Sequence, residues 1–144
     1  MNITTLGIDL AKEVFQLHGI NSEGHVVLKK KVSRKRVYME VAKLPKCLIG
    51  MESCGGSNYW AREFIKLGHE VKLMNPRFVK PYVKSDKNDQ NDAEAICEAV
   101  SRPSMRFAGI KTADQQDIQS LHRIRSRLVK NMCCQFQRQS LPSL

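Results

Sequence analysis

The sequence predicts an α/β fold built on a mixed sheet, in which three antiparallel strands are followed by parallel strands. Residues 3–32 read as three strand-like segments joined by short connections, which is typical of consecutive antiparallel strands. Further along the chain, two apolar segments flank one with helical spacing, and such a strand–helix–strand unit forms a parallel, right-handed crossover. Flanking helices and a long carboxyl-terminal helix complete the predicted fold.

The first three strands are predicted from hydropathy and turn residues. An apolar run, Ile3–Leu10, carries an aspartate near its end, and Glu13–Ile20 alternates as a second strand. The residues Asn-Ser-Glu-Gly at 21–24 suit a tight turn into a third strand, His25–Val32.

The parallel part of the sheet is predicted around one helix. Helical spacing over 37–44 stops at Pro45, and the apolar segment Cys47–Met51 indicates a strand buried on both faces. Residues 55–68 predict a helix that starts after two glycines and ends at a third. Glu70–Met74 then predicts the next strand, which an Asn-Pro pair ends.

The remainder of the chain is more helical. Pro81–Asn91 is polar and densely charged, so we expect a surface loop, and Asp92–Val100 has helical spacing. Met105–Ile110 reads as a short extended segment. Thr112–Phe136 predicts one long helix with an apolar stripe on one side and arginine and lysine residues on the other.

Composition favours a nucleic-acid partner and excludes several other classes. Lysine and arginine outnumber aspartate and glutamate by 24 to 14, a net charge of +10, which suits a polyanion. The plainer alternative is a basic protein with no such partner. No apolar run approaches the roughly 20 residues that cross a bilayer, so we expect a cytoplasmic protein. The odd count of five cysteines, without a CxxC pair, argues against a disulfide framework or a zinc ribbon.

Four carboxylates occupy positions that suggest chemistry. Asp9 ends the first apolar strand, Glu52 follows the buried strand, and Asp89 and Asp92 bracket the start of a helix with i, i+3 spacing. Groups at the carboxyl ends of neighbouring parallel strands converge on one crevice. Clustered carboxylates suit Mg²⁺ or Mn²⁺, which accept phosphate oxygens as further ligands. Each acid also has an ordinary explanation as a turn or helix cap.

Four segments carry a resemblance to a known family: GIDLAKEVFQLHGI, MESCGGSNYWA, NPRFVKPY and KNDQNDAEAI. They resemble, in this order, the DEDD-type insertion-sequence transposases, which are related to the Piv DNA invertase and the bridge-RNA-guided recombinases. The resemblance extends over nearly all of residues 3–130. It implies a RuvC-like domain with an RNase H-like fold, acting in DNA transposition.

Carried over by position, the resemblance implies that Asp9, Glu52, Asp89 and Asp92 are catalytic and hold Mg²⁺ or Mn²⁺. The last pair is chosen over Asp86 and Asp89 because an alanine follows Asp92, as in the family pattern. DNA is the implied partner, with a guide RNA in the RNA-guided branch, and the long helix is the implied contact of a homodimer or larger oligomer.

Basic residues near these acids are candidates for phosphate contacts. Lys12 follows the first strand, and a basic segment contributes four more: Arg77, Lys80, Lys84 and Lys87. Phe78 and Tyr82 lie among them, a combination typical of backbone binding with base stacking, although a solvated surface explains it nearly as well. Trp60 is expected to pack in the core.

We expect residues 1–110 to form the acid-bearing domain and 111–144 to form the long amphipathic helix and a tail. Family members are about twice as long and carry a serine in a second domain, so the chain reads as a truncated transposase whose activity on its own the sequence leaves open. Two alternatives remain: an inactive nucleic-acid-binding remnant, and an actin-like-fold kinase, which lacks the expected glycine-rich phosphate loops here.

Overall fold

The structure is a computed structural model that describes residues 2–83 and 89–139, and the side chains of residues 89, 90 and 137–139 lie outside that description. The chain divides into two compact units, residues 1–110 and 111–144. The first unit contains a six-stranded sheet, and the described residues of the second form one helix. In the part of the chain that is described, no helix is both long and apolar enough to cross a membrane.

The antiparallel half of the sheet is formed by β1 (Thr5–Leu10), β2 (Val14–Ile20) and β3 (Val26–Ser33). The side-chain oxygen of Asn21 accepts hydrogen bonds from the backbone N–H groups of Glu23 (3.0 Å) and His25 (2.9 Å) in the β2–β3 turn. Gly24 in the same turn has φ +83, a left-handed conformation that favours glycine. The three predicted antiparallel strands are confirmed.

The parallel half is formed by β4 (Leu48–Glu52), α2 (Ser57–Lys66) and β5 (Glu70–Met74). β4 pairs in parallel with β1 on one side and with β5 on the other. The sheet order is therefore β3-β2-β1-β4-β5, closed by β6 (Phe107–Ala108) at the far edge. β6 pairs antiparallel to β5. The sequence predicted an extended segment over Met105–Ile110 but not its strand partner.

The helices differ from the prediction in two places. The Asn75-Pro76 pair begins α3 (Pro76–Val79), because Asn75 accepts a hydrogen bond from the Arg77 N–H and proline suits the first helical turn. A 3₁₀ turn follows at Lys80–Tyr82. The surface loop expected over Pro81–Asn91 is therefore wrong at both ends, since α4 runs over Asp89–Val100 and begins three residues before the predicted start. The remaining helices, α1 (Val37–Ala42) and α5 (Ala113–Gln139), follow the predicted segments closely.

The two faces of the sheet carry different helices. A Cβ at Gly7 would lie 2.3 Å from the Ala93 backbone oxygen, and one at Gly50 would lie 2.8 Å from Val100, so α4 covers this face. Side chains alternate along a strand, so Phe15, which is paired with Leu10, lies on the opposite face. There it makes an edge-to-face contact with Trp60 of α2 at 5.3 Å between ring centroids.

Trp60 lies at the centre of the aromatic part of the core. Its ring stacks on Phe64 with 5.7 Å between centroids and is 7% exposed. The prediction that Trp60 packs in the core is confirmed. Burying aromatic side chains of this size contributes roughly 1.5–3 kcal/mol each, so this cluster fixes α2 on the sheet.

Candidate functional site

Asp9 and Glu52 follow the last paired residues of β1 and β4, at the carboxyl edge of these two strands. The parallel register runs from Thr5 opposite Leu48 to Ile8 opposite Met51, and the next residues in this register are Asp9 and Glu52. Both residues are half-buried. They belong to the face that carries Gly7 and Gly50, which is the face under α4. Two carboxylates on adjacent strands, whose backbones lie about 4.8 Å apart, can share one cation.

The direction of α4 brings its first turn to the same edge. Ala93 and Cys97 both meet the Gly7 position, and the Cys97 thiol lies 3.8 Å from the Thr5 carbonyl oxygen. α4 therefore runs antiparallel to β1, so the residues before Ala93 lie toward the Asp9 end of the strand. Asp92 is half-buried in the first turn of α4, and Asp89 is its first residue.

The predicted acids thus lie on three elements, β1, β4 and α4, that lead to one edge of the sheet. Among the residues whose side chains are described, no three His, Cys, Asp or Glu side chains lie close enough to hold a metal ion together. Asp89 is outside that set because its side chain is not described, and the alternative acid, Asp86, lies outside the described residues entirely. Asp9, Glu52 and Asp92 all have described side chains, so these three do not form such a group by themselves.

Cys97, the buried cysteine of α4, has the properties of a packing residue and not those of a nucleophile. Cys97 is 1% exposed between α4 and β1. Burial raises the pKa of its thiol to about 11. The thiol is therefore protonated at neutral pH, and Cys97 serves as a small packing residue.

The candidate phosphate-binding residues are spread over two places. Lys12 is exposed in the β1–β2 turn, three residues after Asp9. Arg77 and Lys80 are exposed on α3 and the 3₁₀ turn, whereas Lys84 and Lys87 lie outside the described residues. The segment is thus partly helical.

The two aromatic residues of this segment have different surroundings. Phe78 is 44% exposed. Tyr82 packs against the buried residues of α4, and the Arg102 guanidinium lies over its ring at 5.8 Å. Phe78 and Tyr82 line a cavity of about 250 Å³ together with Arg77 and Arg106. Of the two rings, Phe78 is the better placed to stack on a base.

Three further basic residues, Lys31, Arg34 and Arg106, lie near the candidate sites and were not among the phosphate-binding candidates of the sequence. Lys31 of β3 pairs with Gln16 of β2, which pairs with Asp9, so a cation lies on the same face two strands from the acids. The Lys-Lys-Lys run of β3, with the hairpin register, carried the signal for Lys31. Arg34 and Arg106 had no such signal, because their neighbours are distant in sequence.

Comparison with known proteins identifies the family. A family model described as a transposase, of the DEDD IS110 type, matches residues 6–140. The chain belongs to this transposase family. The "Probable family 20 transposase" of Pseudomonas aeruginosa is 56% identical over 130 residues. Transposases named for the insertion sequences IS1328 of Yersinia enterocolitica and IS1111A of Coxiella burnetii are 50% identical over 129 residues and 52% identical over 130 residues.

The match covers this chain far more fully than its relatives. The three alignments include 90% of the chain but only 38%, 39% and 36% of the three relatives in turn. This transposase-family chain therefore corresponds to somewhat over a third of each relative. Its mixed sheet, flanking helices and long last helix agree with the RNase H-like fold that the resemblance implied.

Proposed function

We propose that this chain supplies the acid site of a transposase and acts, with a divalent cation, on a DNA phosphodiester. The observation that supports it most is the register that makes Asp9 and Glu52 neighbours on the face covered by α4. The resemblance to the DEDD-type transposases also implies the order Asp, Glu, Asp, Asp, and Asp9, Glu52, Asp89 and Asp92 follow one another in that order.

The donor set fits a hard divalent cation. Carboxylate oxygens suit Mg²⁺ or Mn²⁺, and such an ion would activate a nucleophile and stabilise the leaving oxygen of a phosphodiester. The chain's own contribution is to hold the carboxylates in place. Asp9 and Glu52 are fixed by two strands of one sheet, and the absence of side chains at Gly7 and Gly50 lets α4 approach closely with its acidic first turn.

DNA is the proposed substrate, with phosphate contacts from Lys12, Arg77, Lys80, Lys84 and Lys87. The net charge of +10 supports a polyanionic partner. The same charge suits a guide RNA, a partner suggested by the resemblance to RNA-guided recombinases. Competition between duplex DNA and structured RNA for the purified chain would rank the two.

We further propose that α5 joins two copies of the chain. Its apolar residues Ile118, Leu121, Leu128, Met132 and Phe136 are 56–70% exposed, although they repeat at helical spacing. Exposed apolar stripes of this kind mark interaction surfaces.

The metal proposal is tested by titrating Mn²⁺ into the chain by calorimetry. Asp9→Asn and Glu52→Gln should each weaken Mn²⁺ binding at least about tenfold, because each removes one charged ligand. Asp117→Asn changes an exposed acid of α5 and should bind Mn²⁺ like the wild type. Thermal melting of each variant shows whether the fold is retained. Equal Mn²⁺ affinity in folded wild type and Asp9→Asn would remove Asp9 from the site.

A strand-exchange assay with donor and target DNA separates this proposal from the inactive remnant. Metal-dependent cleavage or joining by the wild type, absent in Asp9→Asn, supports the enzyme. Mn²⁺ binding and DNA binding without any reaction support a binding module.

A further inference from the structure

A second candidate site lies at the same edge of the sheet, on the face opposite Asp9 and Glu52. A cavity of about 170 Å³ is lined by the β1–β2 turn, the start of α2 and the residue after β3. Lys12, Arg34 and Trp60 contribute the polar groups, and Leu10 and Phe15 form its apolar wall. Leu10 and Phe15 face each other in the antiparallel register, which puts the cavity on the α2 side.

The charged residues that line the cavity are all basic. Lys12 and Arg34 are both exposed, and no carboxylate is among the described residues that line the cavity. Arg34 lies against the aromatic wall of the cavity, since its guanidinium is 6.0 Å from the centroid of Phe15 and 5.8 Å from that of Trp60. It also donates a hydrogen bond to the Lys12 carbonyl oxygen at 3.4 Å. Arg34 and Lys12 are therefore neighbours in the cavity wall.

The amino-terminal end of α2 adds partial positive charge. Gly56 is the N-cap and lines the cavity, it provides no side-chain cap, and the first turn contains no acid. The preceding loop is held by Ser57, whose hydroxyl accepts from the Cys54 N–H (3.0 Å) and donates to the Cys54 carbonyl (2.9 Å). Gly56 thus brings the amino-terminal end of α2 to the cavity.

Trp60, which lines the cavity, also carries a hydrogen-bond donor without a described partner. The indole nitrogen of Trp60 is buried, has no hydrogen-bond partner among the described residues, and belongs to a residue that is 7% exposed. A buried N–H without an acceptor costs roughly 1–3 kcal/mol.

We propose that this cavity binds a phosphate of a nucleic-acid backbone, held by Lys12, Arg34 and, once the exposed Arg34 side chain shifts toward the anion, the Trp60 N–H. Charge-assisted hydrogen bonds from two cations favour an anion with several oxygens. A strand crossing the edge of the sheet would place one phosphate here and a neighbouring one at Asp9 and Glu52. The site therefore rests on the proposed function and adds a subsite to it.

Trp60 is the only tryptophan of the chain, so its fluorescence reports on this cavity directly. The test uses the full chain in EDTA, a short single-stranded oligodeoxynucleotide bearing a fluorescent label, and inorganic phosphate as a separate arm. We expect the oligonucleotide to change Trp60 emission and to saturate at far lower concentration than phosphate. A response to phosphate at equal or lower concentration would assign the cavity to the free anion and overturn the proposal.

Variants assign the contacts. Lys12→Gln and Arg34→Gln should each weaken oligonucleotide binding about tenfold. Each should also lower the slope of log affinity against log salt by about one. Lys35→Gln, a neighbouring exposed lysine outside the cavity, should lower affinity much less. Equal effects of all three substitutions would overturn the proposal, since they would show only a general loss of positive charge.

Trp60→Phe keeps an aromatic ring and removes the N–H. A folded Trp60→Phe chain should bind the labelled oligonucleotide more weakly, by anisotropy, with an unchanged salt slope because the lost donor is neutral. Should this variant fail to fold, the two cation variants still decide the question. Asp9→Asn in EDTA should bind at least as tightly as wild type, so failure of the metal site and failure of the phosphate site give different results.

Discussion

Gly7 has no side chain at the point where β1 and α4 touch, and a Cβ there would lie 2.3 Å from the Ala93 backbone oxygen. Backbone cannot rotate away as a side chain can, so any larger residue must push α4 from the sheet. Because Asp9 is two residues further along β1, and Asp92 precedes Ala93, such a shift would also separate the acids. One residue thus couples packing to the candidate metal site.

Gly7→Ala should therefore destabilise the fold by about 1–3 kcal/mol, the range for overpacking a well-filled core. It should also weaken Mn²⁺ binding. Urea unfolding and calorimetry measure the two effects. Gly55→Ala is the matched control, because a Cβ there meets nothing within 4 Å. A Gly7→Ala chain as stable as Gly55→Ala would contradict the close approach of α4.

His69 links the fold to pH. It is 5% exposed, and its Nδ1 accepts a hydrogen bond from the Cys47 N–H at 3.3 Å. Burial lowers the pKa of His69, although its hydrogen bond with the Val41 backbone acts in the opposite direction. In the unfolded chain a histidine has a pKa of about 6.5. Below that pH the unfolded state takes up a proton that the folded state resists, so stability falls as pH falls.

Wild-type stability should thus be full above about pH 7 and decline toward pH 5, with a His69 contribution of at most about 1.4 kcal/mol per pH unit. His69→Asn offers an oxygen as acceptor without titrating, and its decline should be shallower. His122→Asn, an exposed histidine of α5, should follow the wild type. Urea unfolding at a series of pH values measures this. Parallel curves for wild type and His69→Asn would exclude His69 as the cause.

Among the elements, α5 has an apolar stripe that is exposed. Its apolar residues repeat at helical spacing, and Leu121 and Leu128, seven residues apart, are 66% and 59% exposed. Isolated helices are only marginally stable in water, and helices in proteins are held mainly by packing of their apolar face. We therefore expect the apolar stripe of α5 to pack against a partner surface. The proposed dimer would provide it.

Leu121→Glu combined with Leu128→Glu should convert a self-associating chain into a monomer, as measured by sedimentation velocity. The control pair, Gln119→Glu with Ser126→Glu, makes the same charge change on roughly the opposite side of α5 and should still associate. A wild-type chain that sediments as a monomer, or equal effects of both pairs, would contradict a dimer through this stripe.

At the scale of the molecule, the described core belongs to one segment of the chain. Its two buried clusters begin at Ile3 and end at Val100, and α4 supplies Ala95, Ile96 and Ala99 to one of them. Ile110 also packs against this core. We propose, as the sequence led us to expect, that residues 1–110 form the acid-bearing domain and fold without residues 111–144.

A chain ending at residue 110 should therefore unfold in one cooperative transition, with its midpoint close to that of the full chain. Trp60 emission in urea follows the core directly. A chain ending at residue 83 lacks α4 and should not fold, because the face of the sheet around Gly7 and Gly50 is left uncovered. Loss of cooperative unfolding in the 110-residue chain would assign α5 to the domain.

The sequence by itself predicted most of the elements and named the candidate acids. Alternation and turn residues predict β1 to β3, and a short apolar run with glycine-bounded helical spacing predicts β4 and α2, because these signals act over a few neighbouring residues. The position of Asp9 and Glu52 at strand ends follows from the same local patterns. The start of α4 was missed because its first turn is polar and resembles a loop.

Only the tertiary structure decided which residues meet. The register of β1 with β4, the seat of α4 at Gly7 and Gly50, and the antiparallel β6 all depend on contacts between distant segments. The cavity with Lys12, Arg34 and Trp60 is of the same kind, since it joins a turn, a strand end and a helix start. Local spacing carries no information on such contacts, because they are selected by how whole faces pack against each other.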